Sequence, residues 1–307
     1  VRDKIYLITF LVVAALLIFL GHDLLQRSVL FTWVLTFGGT SAVSVLTLLL
    51  YRLRLQLQAS RRELARKDAE LNFALEVQKA LFPRHLPVGD GLEFSAICIP
   101  ARGISGDYYD VIKFPDGRLV FTIADISGKG ISAAILMANL QALLRALAAT
   151  NSAPAEVCKR LNQHLHQVTD ATRFATFFYA EWHAHRRQLT YVNAGHNPPI
   201  LLGSCQGQQL VQGGTPLGMF PGVEFQVGNL SLQPDDLLVL FSDGITEAAS
   251  RDGEEFGEAR LESMVRQHSR EPLVKIQSHI LQKVRGWAGN ELEDDMTLML
   301  VRATRQH

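Results

Sequence analysis

Cysteine is scarce, with only Cys98, Cys158 and Cys205 among 307 residues, far apart and odd in number. That argues against a disulfide framework or a zinc site of closely spaced thiolates, and it suits a reducing compartment. Net charge is missing too, because 30 basic and 30 acidic residues cancel, so nothing global points to nucleic acid. No P-loop is present, since Gly128-Lys129-Gly130 lacks a Ser or Thr after the lysine and a long glycine-spaced loop before it. Ser105 and Ser242 lie in no nucleophile elbow, and no His and acid are arranged to activate them. The pairs His164 with His166 and His183 with His185 are spaced two apart, which on a helix splits them onto different faces and argues against a metal site.

What is present centres on Ser105 to Gly130. Val111, Ile112, Phe114, Leu119, Val120, Phe121 and Ile123 are strand formers around the turn Pro115-Asp116-Gly117, so the stretch reads as a hairpin. Its far ends carry acids, Asp107 with Asp110 close behind and Asp125. Side by side, two ionised carboxylates about 4 Å apart repel by about 4 kcal/mol at an effective dielectric near 20, so their convergence suggests a divalent cation between them. Gly128 and Gly130 then lead into a helical run, a place that suits a phosphate or serves only as a turn.

Two further acids have the same placement. Leu237 to Phe241 is an apolar strand that ends in Ser242-Asp243-Gly244, and Glu293-Asp294-Asp295 stands before a last strand, Met296 to Arg302. Asp107, Asp125, Asp243 and Asp294 together offer four negative charges, enough to neutralise two divalent cations held by oxygen ligands and water. The competing reading makes each a turn or cap residue.

The N-terminal part differs in character. Ile5 to Leu20 is free of charge but reaches only about 24 Å against a hydrocarbon core of about 30 Å, a deficit that Arg2, Lys4 and His22 can make up by snorkelling. Gly21-His22-Asp23-Leu24 offers no small-x-small cleavage site, so an uncleaved span is favoured over a signal peptide. Val29 to Tyr51 is long enough unaided, and Gly38-Gly39 marks a candidate helix contact. The chain starts at Val1, with which a rare start codon and a missing N-terminal piece are both compatible. Arg2 and Lys4 before the pair and Arg52, Arg54, Arg61 and Arg62 after it place both ends in the cytoplasm, with only Arg27 between. Leu57, Leu64 and Leu71 recur at heptad spacing, with Leu53, Ala74 and Leu81 on the adjoining seam position that Ser60 and Lys67 also occupy, as in a short, imperfect parallel coiled coil forming a homodimer; a solvated single helix is the competing reading. Pro83 and Pro87 stop it. The expected organisation is a two-helix membrane segment at 1–51, a helical linker at 52–82 and one further domain at 83–307.

Within that domain, strands are expected at Leu92 to Pro100, Phe174 to Trp182, Gln188 to Ala194, Pro199 to Leu202, Val223 to Val227 and Leu237 to Phe241. Helices are expected at Ile131 to Ala149, Pro154 to Val168, Arg260 to His268 and Leu273 to Ala288. The first is apolar, but Asn139, Gln141 and Arg145 make it a core helix rather than a span. Hairpin-spaced strands with segregated helices argue for an α+β domain on antiparallel sheet.

The motifs GDYYD at 106–110, ADISGKG at 124–130, NAGHNPP at 193–199, GTPLGM at 214–219, LFSDGITEA at 240–248 and DDMTLM at 294–299 resemble, in order, those of PP2C-type serine/threonine phosphatases of the bacterial SpoIIE and RsbU branch. EVQKALFPRHLP at 76–87 is similar to the segment that precedes the catalytic domain there. The resemblance spans Glu76 to Arg302 and omits the membrane segment. It implies an α+β fold of two stacked antiparallel β-sheets flanked by helices. It implies two Mn²⁺ or Mg²⁺ ions, held by Asp107, Asp125, the carbonyl of Ile126, Asp243 and Asp294, with the four aspartates as the catalytic set. The implied reaction is hydrolysis of phosphoserine or phosphothreonine by a water activated between the metals, on a phosphorylated anti-anti-sigma-like protein; the apolar runs and their flanking basic residues, not the resemblance, put the domain at the cytoplasmic face of the bacterial inner membrane.

Asp295 falls where relatives often have a second acid or an asparagine. Lys129 often appears there as histidine, and Ile104-Ser105 stands where a glycine is common. Arg102 is a candidate phosphate contact, and His196 a candidate for a loop-fixing hydrogen bond. Two other function classes stand beside this one: a catalytically inactive signalling or interaction module, against which the intact aspartates argue, and a metal-dependent enzyme acting on nucleotides.

Overall fold

The computed structural model describes residues 2–24, 29–101, 103–169, 172–203, 209–289 and 292–305. Arg102, Cys205 and Arg27 lie outside the described residues, as do the side chains of Arg2 and Lys4. The chain divides into two units, Val1–Glu70 and Leu71–His307.

The first unit is helical, with α1 at Arg2–Leu24 and α2 at Val29–Lys79, which continues into the second. Polar side chains in the apolar part of α2 bond back onto their own helix. Thr36, Thr40, Ser44 and Thr47 each donate to the carbonyl four residues earlier, at 2.7 to 2.9 Å, so none opposes an apolar surrounding. Gly39 packs on α1, where an added Cβ would lie 3.1 Å from Leu17, whereas Gly38 faces open space. By length and composition α2 is apolar enough to cross a membrane. Along its charged part Leu53, Leu57 and Leu64 are exposed.

The second unit is a sandwich. Its strands are β1 (Leu92–Ile99), β2 (Tyr108–Lys113), β3 (Arg118–Ile126), β4 (Ala175–His183), β5 (Gln188–Ala194), β6 (Ile200–Leu202), β7 (Gly213–Gly214), β8 (Gly228–Ser231), β9 (Leu237–Phe241) and β10 (Met296–Ala303). The helices are α3 (Ile131–Ala148), α4 (Pro154–Val168), α5 (Asp243–Thr246), α6 (Glu258–His268) and α7 (Leu273–Trp287). One sheet has the order β1-β10-β9-β6, and the other β2-β3-β4-β5-β7 with β8 also paired to β5. This is the expected α+β arrangement of two stacked, mainly antiparallel sheets with helices outside.

Strand alternation explains the layering. Leu119, Phe121 and Ile123 of β3 point between the sheets with Leu238 and Leu240 of β9 and Met299 and Val301 of β10. The opposite faces take the helices: Val120 and Ala124 meet α3 and α4, and Val239, Phe241, Leu298 and Leu300 meet α6 and α7. Helix α3 is apolar enough to pass for a membrane span by length and composition, yet Ala133, Leu136, Met137, Leu140 and Leu144 are all buried in this core.

Two expectations need correction. Val223 to Val227 is not a strand; the ladder begins at Gly228, where a Cβ would lie 2.2 Å from the Tyr191 ring. The alternation of Val223, Phe225 and Val227 reflects packing of Phe225 into the α3–α4 core, not strand pairing. Asp110 does not stand with Asp107. It is fully buried on the α3 side of β2, where the Arg145 guanidinium donates to both carboxylate oxygens at 2.8 and 2.9 Å and the Tyr108 hydroxyl donates at 2.6 Å.

That bidentate pair clamps α3 to the hairpin. Arg145→Leu strands a buried carboxylate, and because Arg145 is itself 45% exposed the expected loss is about 2–3 kcal/mol rather than the full cost of breaking an enclosed pair. Thermal melting of the full chain in detergent should show Tm lower by roughly 5–10 °C; an unchanged Tm would mean that the clamp contributes nothing net.

Candidate metal centre

The hairpin register builds the first half of the site. Tyr108 pairs with Ala124, so Asp107, one residue before β2, meets Asp125, the penultimate residue of β3. The sequence reads both acids as lying at the far ends of the hairpin; the structure has Asp107 just before β2 and Asp125 just inside β3. Asp107 is 2% exposed, and its Oδ2 is buried with no hydrogen-bond partner. Burial and then the charge of Asp125 hold the Asp107 carboxyl well above the usual carboxylate range, partly offset by the Thr297 and Ser242 hydroxyls. Burial, followed by the charges of Asp243 and Asp294, pushes Asp125 up to about 7.

The other sheet delivers the second half. Strand β9 ends at Phe241, Ser242 follows it and Asp243 opens the short α5; Asp294 and Asp295 stand just before β10. Burial and Asp294 raise the Asp243 carboxyl, while the Gly244 N–H and Lys129 oppose the rise. Lys129, in the loop between β3 and α3, pairs with Asp294 at 2.8 Å and donates to the Glu293 carbonyl at 3.0 Å. All four aspartates expected from the sequence therefore gather where the two sheets meet.

Two glycines allow the approach. A Cβ on Gly106 would come within 3.0 Å of the Ile126 carbonyl oxygen, and one on Gly244 within 2.1 Å of the Asp295 carbonyl oxygen. Asp295 does something other than add another open acid. Its Oδ1 accepts the Ala101 N–H and its Oδ2 the Gly106 N–H, both at 2.8 Å, so the carboxylate ties the loop before Asp107 to the other sheet.

The serines beside the acids are structural. The buried Ser105 hydroxyl accepts the Asp107 N–H at 3.0 Å, and the buried Ser242 hydroxyl accepts the Thr297 N–H at 2.9 Å. His196 fixes a loop, as expected. Its N–H donates to Asn193 at 2.8 Å and its Nδ1 bonds Thr176, which lies opposite Asp125 in the ladder. Burial lowers its pKa to about 4, so the ring is neutral.

Gln78 is a residue that sequence reasoning missed. From the last turn of α2 its side-chain amide donates to the Ser105 carbonyl at 2.6 Å and accepts the Ser105 N–H at 3.0 Å. Only 4% exposed, it latches the helix end to the loop two residues before Asp107. A lone polar residue in a charged helix carries no pattern that marks it as buried.

The donor set fits a hard divalent cation, being carboxylate oxygens, one of them an orphaned buried atom, in an excess of negative charge that Lys129 only partly offsets. The arrangement is open rather than caged. Among the described residues, the one set of three His, Cys, Asp or Glu side chains whose donor atoms all lie within 4.8 Å is elsewhere, at His268, Glu271 and His279.

Comparison with known proteins gives the fold and the family. The family model of Stage II sporulation protein E (SpoIIE) matches residues 115–304, a span that holds Asp125, Asp243 and Asp294 and starts after Asp107. Phosphoserine phosphatase RsbU of Bacillus subtilis (strain 168) is 32% identical over 237 residues, covering 76% of this chain and 70% of that protein. Among solved structures, the SiaA-PP2C domain of Pseudomonas aeruginosa superposes with a TM-score of 0.69 at 21% identity, covering 78% of this chain and 98% of that one. RsbX, solved in complex with magnesium, superposes with a TM-score of 0.53 at 19% identity, covering 72% of this chain and 99% of that one. The structures establish the PP2C-like fold, and the family model together with RsbU establishes that the chain belongs to the SpoIIE family of PP2C-type serine/threonine phosphatases.

Proposed function

We propose that this chain is a membrane-anchored, metal-dependent phosphatase that hydrolyses phosphoserine or phosphothreonine on a regulatory protein. The observation that carries the reading is the convergence of Asp107, Asp125, Asp243 and Asp294, in which Asp107 and Asp125 are driven toward their protonated forms. A cation among them removes that penalty.

An all-oxygen donor set suits two Mn²⁺ or Mg²⁺ ions, with Asp107, Asp125 and the Ile126 carbonyl as ligands and Asp243 and Asp294 completing the pair. The magnesium held by RsbX supports this choice. When bound, such ions supply Lewis acidity toward water and phosphoryl oxygen. The chain's own part is positioning. The Ser105 hydroxyl fixes the Asp107 backbone, Asp295 ties its loop across the sheets, and His196 braces Thr176 opposite Asp125. Lys129, about half exposed, supplies positive charge beside the acids for an incoming phosphoryl group.

The remaining parts of the reading rest on other observations. A phosphorylated anti-anti-sigma-like substrate follows from the likeness to RsbU. Anchoring in the bacterial inner membrane, with the catalytic domain in the cytoplasm, is supported by the apolar α2 and the arginines that follow it. The division into a membrane segment at 1–51, a linker at 52–82 and a catalytic domain at 83–307 goes with it. Exposed Leu53, Leu57, Leu64 and Leu71 support a homodimer through the linker, and Gln78 offers the route by which α2 acts on Asp107.

The full chain in detergent should release inorganic phosphate from a phosphoserine protein with Mn²⁺ and not in chelator. Asp125→Ala and Asp243→Ala should each lower the rate by at least the roughly 100-fold that loss of an outer-shell partner can cost. Release that persists in chelator, or turnover of a nucleotide without release from phosphoprotein, would sink the reading.

In metal-free protein the folded state holds more protons than the unfolded one between about pH 4 and 7, because Asp125 titrates near 7 when folded and near 3.9 when unfolded. Stability therefore falls as pH rises through that window. Asp107→Asn should raise the metal-free Tm at pH 7.5, flatten the fall and remove most of the gain that Mn²⁺ gives the native protein; a lower metal-free Tm would contradict the repulsion. Gln78→Ala should lower kcat roughly 10-fold and raise the Mn²⁺ concentration needed for half-maximal rate, with KM for phosphoprotein little changed. An unaltered Mn²⁺ dependence would remove Gln78 from the path.

A further inference from the structure

A second constellation of ligating side chains lies outside the four-stranded sheet, on α6, α7 and their connector. His268 ends α6, Glu271 sits in the connector and His279 is in the second turn of α7. The His268 Nδ1 is 2.7 Å from Glu271 Oε1 and 3.3 Å from the His279 Nδ1, which is 3.8 Å from Glu271 Oε2. A tetrahedral ion with bonds of about 2.0–2.1 Å needs its donors roughly 3.3 Å apart, so these atoms already have nearly the required span.

The scaffold around them is fixed. Arg302 of β10 donates to the carbonyls of Ser269 and Glu271 at 2.7 and 2.8 Å, and the Glu271 N–H donates to the His268 carbonyl at 2.9 Å. These bonds tie the backbone at His268 and Glu271 to the sheet beneath. The three side chains are 24%, 37% and 41% exposed in chain order, so an ion can reach them from solvent. The two histidines also border a cavity of about 600 Å³, together with Met264, Gln282, Lys283 and Trp287. Hydrogen bonding from His268 holds the Glu271 carboxyl below the usual range, leaving it ionised at neutral pH.

We propose that His268, Glu271 and His279 form a second metal site, separate from the aspartate centre, that takes a borderline ion of the zinc class and leaves one coordination position open to water. Two imidazoles and one carboxylate suit Zn²⁺, Ni²⁺ or Cu²⁺, whereas Mn²⁺ and Mg²⁺ prefer oxygen donors, so the two centres select different ions. Binding requires both Nδ1 atoms free of protons, so the proton between His268 and Glu271 leaves as the ion enters. Occupation staples α6 to α7, which cover the sheet whose strand ends carry Asp243 and Asp294.

The test uses the full chain in detergent with Mg²⁺ in excess, titrated with Co²⁺ and followed by visible absorption. Four- or five-coordinate Co²⁺ with nitrogen ligands absorbs far more strongly than octahedral Co²⁺ on oxygen. One equivalent with the strong spectrum, displaced by one equivalent of Zn²⁺, is expected for the native protein and for Asp125→Asn. His268→Ala and His279→Ala should abolish it, and Glu271→Gln should weaken it. Melting in chelator checks that each variant is folded, and His279→Gln replaces His279→Ala if the latter is not. Absence of the strong spectrum from native protein, or its persistence in folded variants of both histidines, would overturn the site.

Discussion

Repulsion between two carboxylates that face each other across one hairpin is the constraint around which this domain is built. Asp107 and Asp125 are neighbours because β2 and β3 pair in a single register, and a shift of one residue would send one of them to the opposite face. The fold holds them there against desolvation and like charge by burying Leu119, Phe121 and Ile123 between the sheets and Val120 and Ala124 under the helices. Each of the larger of these side chains, Leu119, Val120, Phe121 and Ile123, contributes about 1.5–3 kcal/mol when fully buried, so a few of them outweigh the electrostatic penalty. Stability made elsewhere is thus stored as a poised cluster of acids.

The second half of the cluster comes from the other sheet, and the junction between the sheets is therefore part of the chemistry. Asp243 follows β9 and Asp294 precedes β10, while Asp295 spends both carboxylate oxygens on backbone N–H groups of the loop that leads to Asp107. Neighbouring aspartates so do different work. Asp294 faces Lys129 at the half-exposed rim, and Asp295 fixes the distance between the sheets. The same division separates Asp107, whose Oδ2 is left without a partner, from Asp110, which is consumed by Arg145 and Tyr108.

Helices α6 and α7 form the outer layer on the four-stranded sheet, and Arg302 ties their connector to β10. The last turn of α2 reaches the loop before Asp107 through Gln78. Both attachments join a helix to the strands or loops that carry the aspartates, by hydrogen bonds to backbone that leave little slack.

The sequence by itself determined the hairpin, the acids at its strand ends and an α+β class on antiparallel sheet, because strand alternation and turn residues are local signals, whereas the stacking of two sheets came only through the family resemblance. It also distinguished α3 from a membrane helix through Arg145, although the partner, Asp110, read as a companion of Asp107. Val223 to Val227 misled for a related reason: alternation records which side chains are buried, not which backbone groups are paired. Only the tertiary structure decided that Asp295 bridges loops, that His196 braces the residue opposite Asp125, that Gln78 is latched to Ser105, and that His268 and His279 meet over Glu271. Each of these is a contact between segments distant in the chain or on different elements, and no period or motif in the sequence encodes which residue lies opposite which until the sheets have stacked.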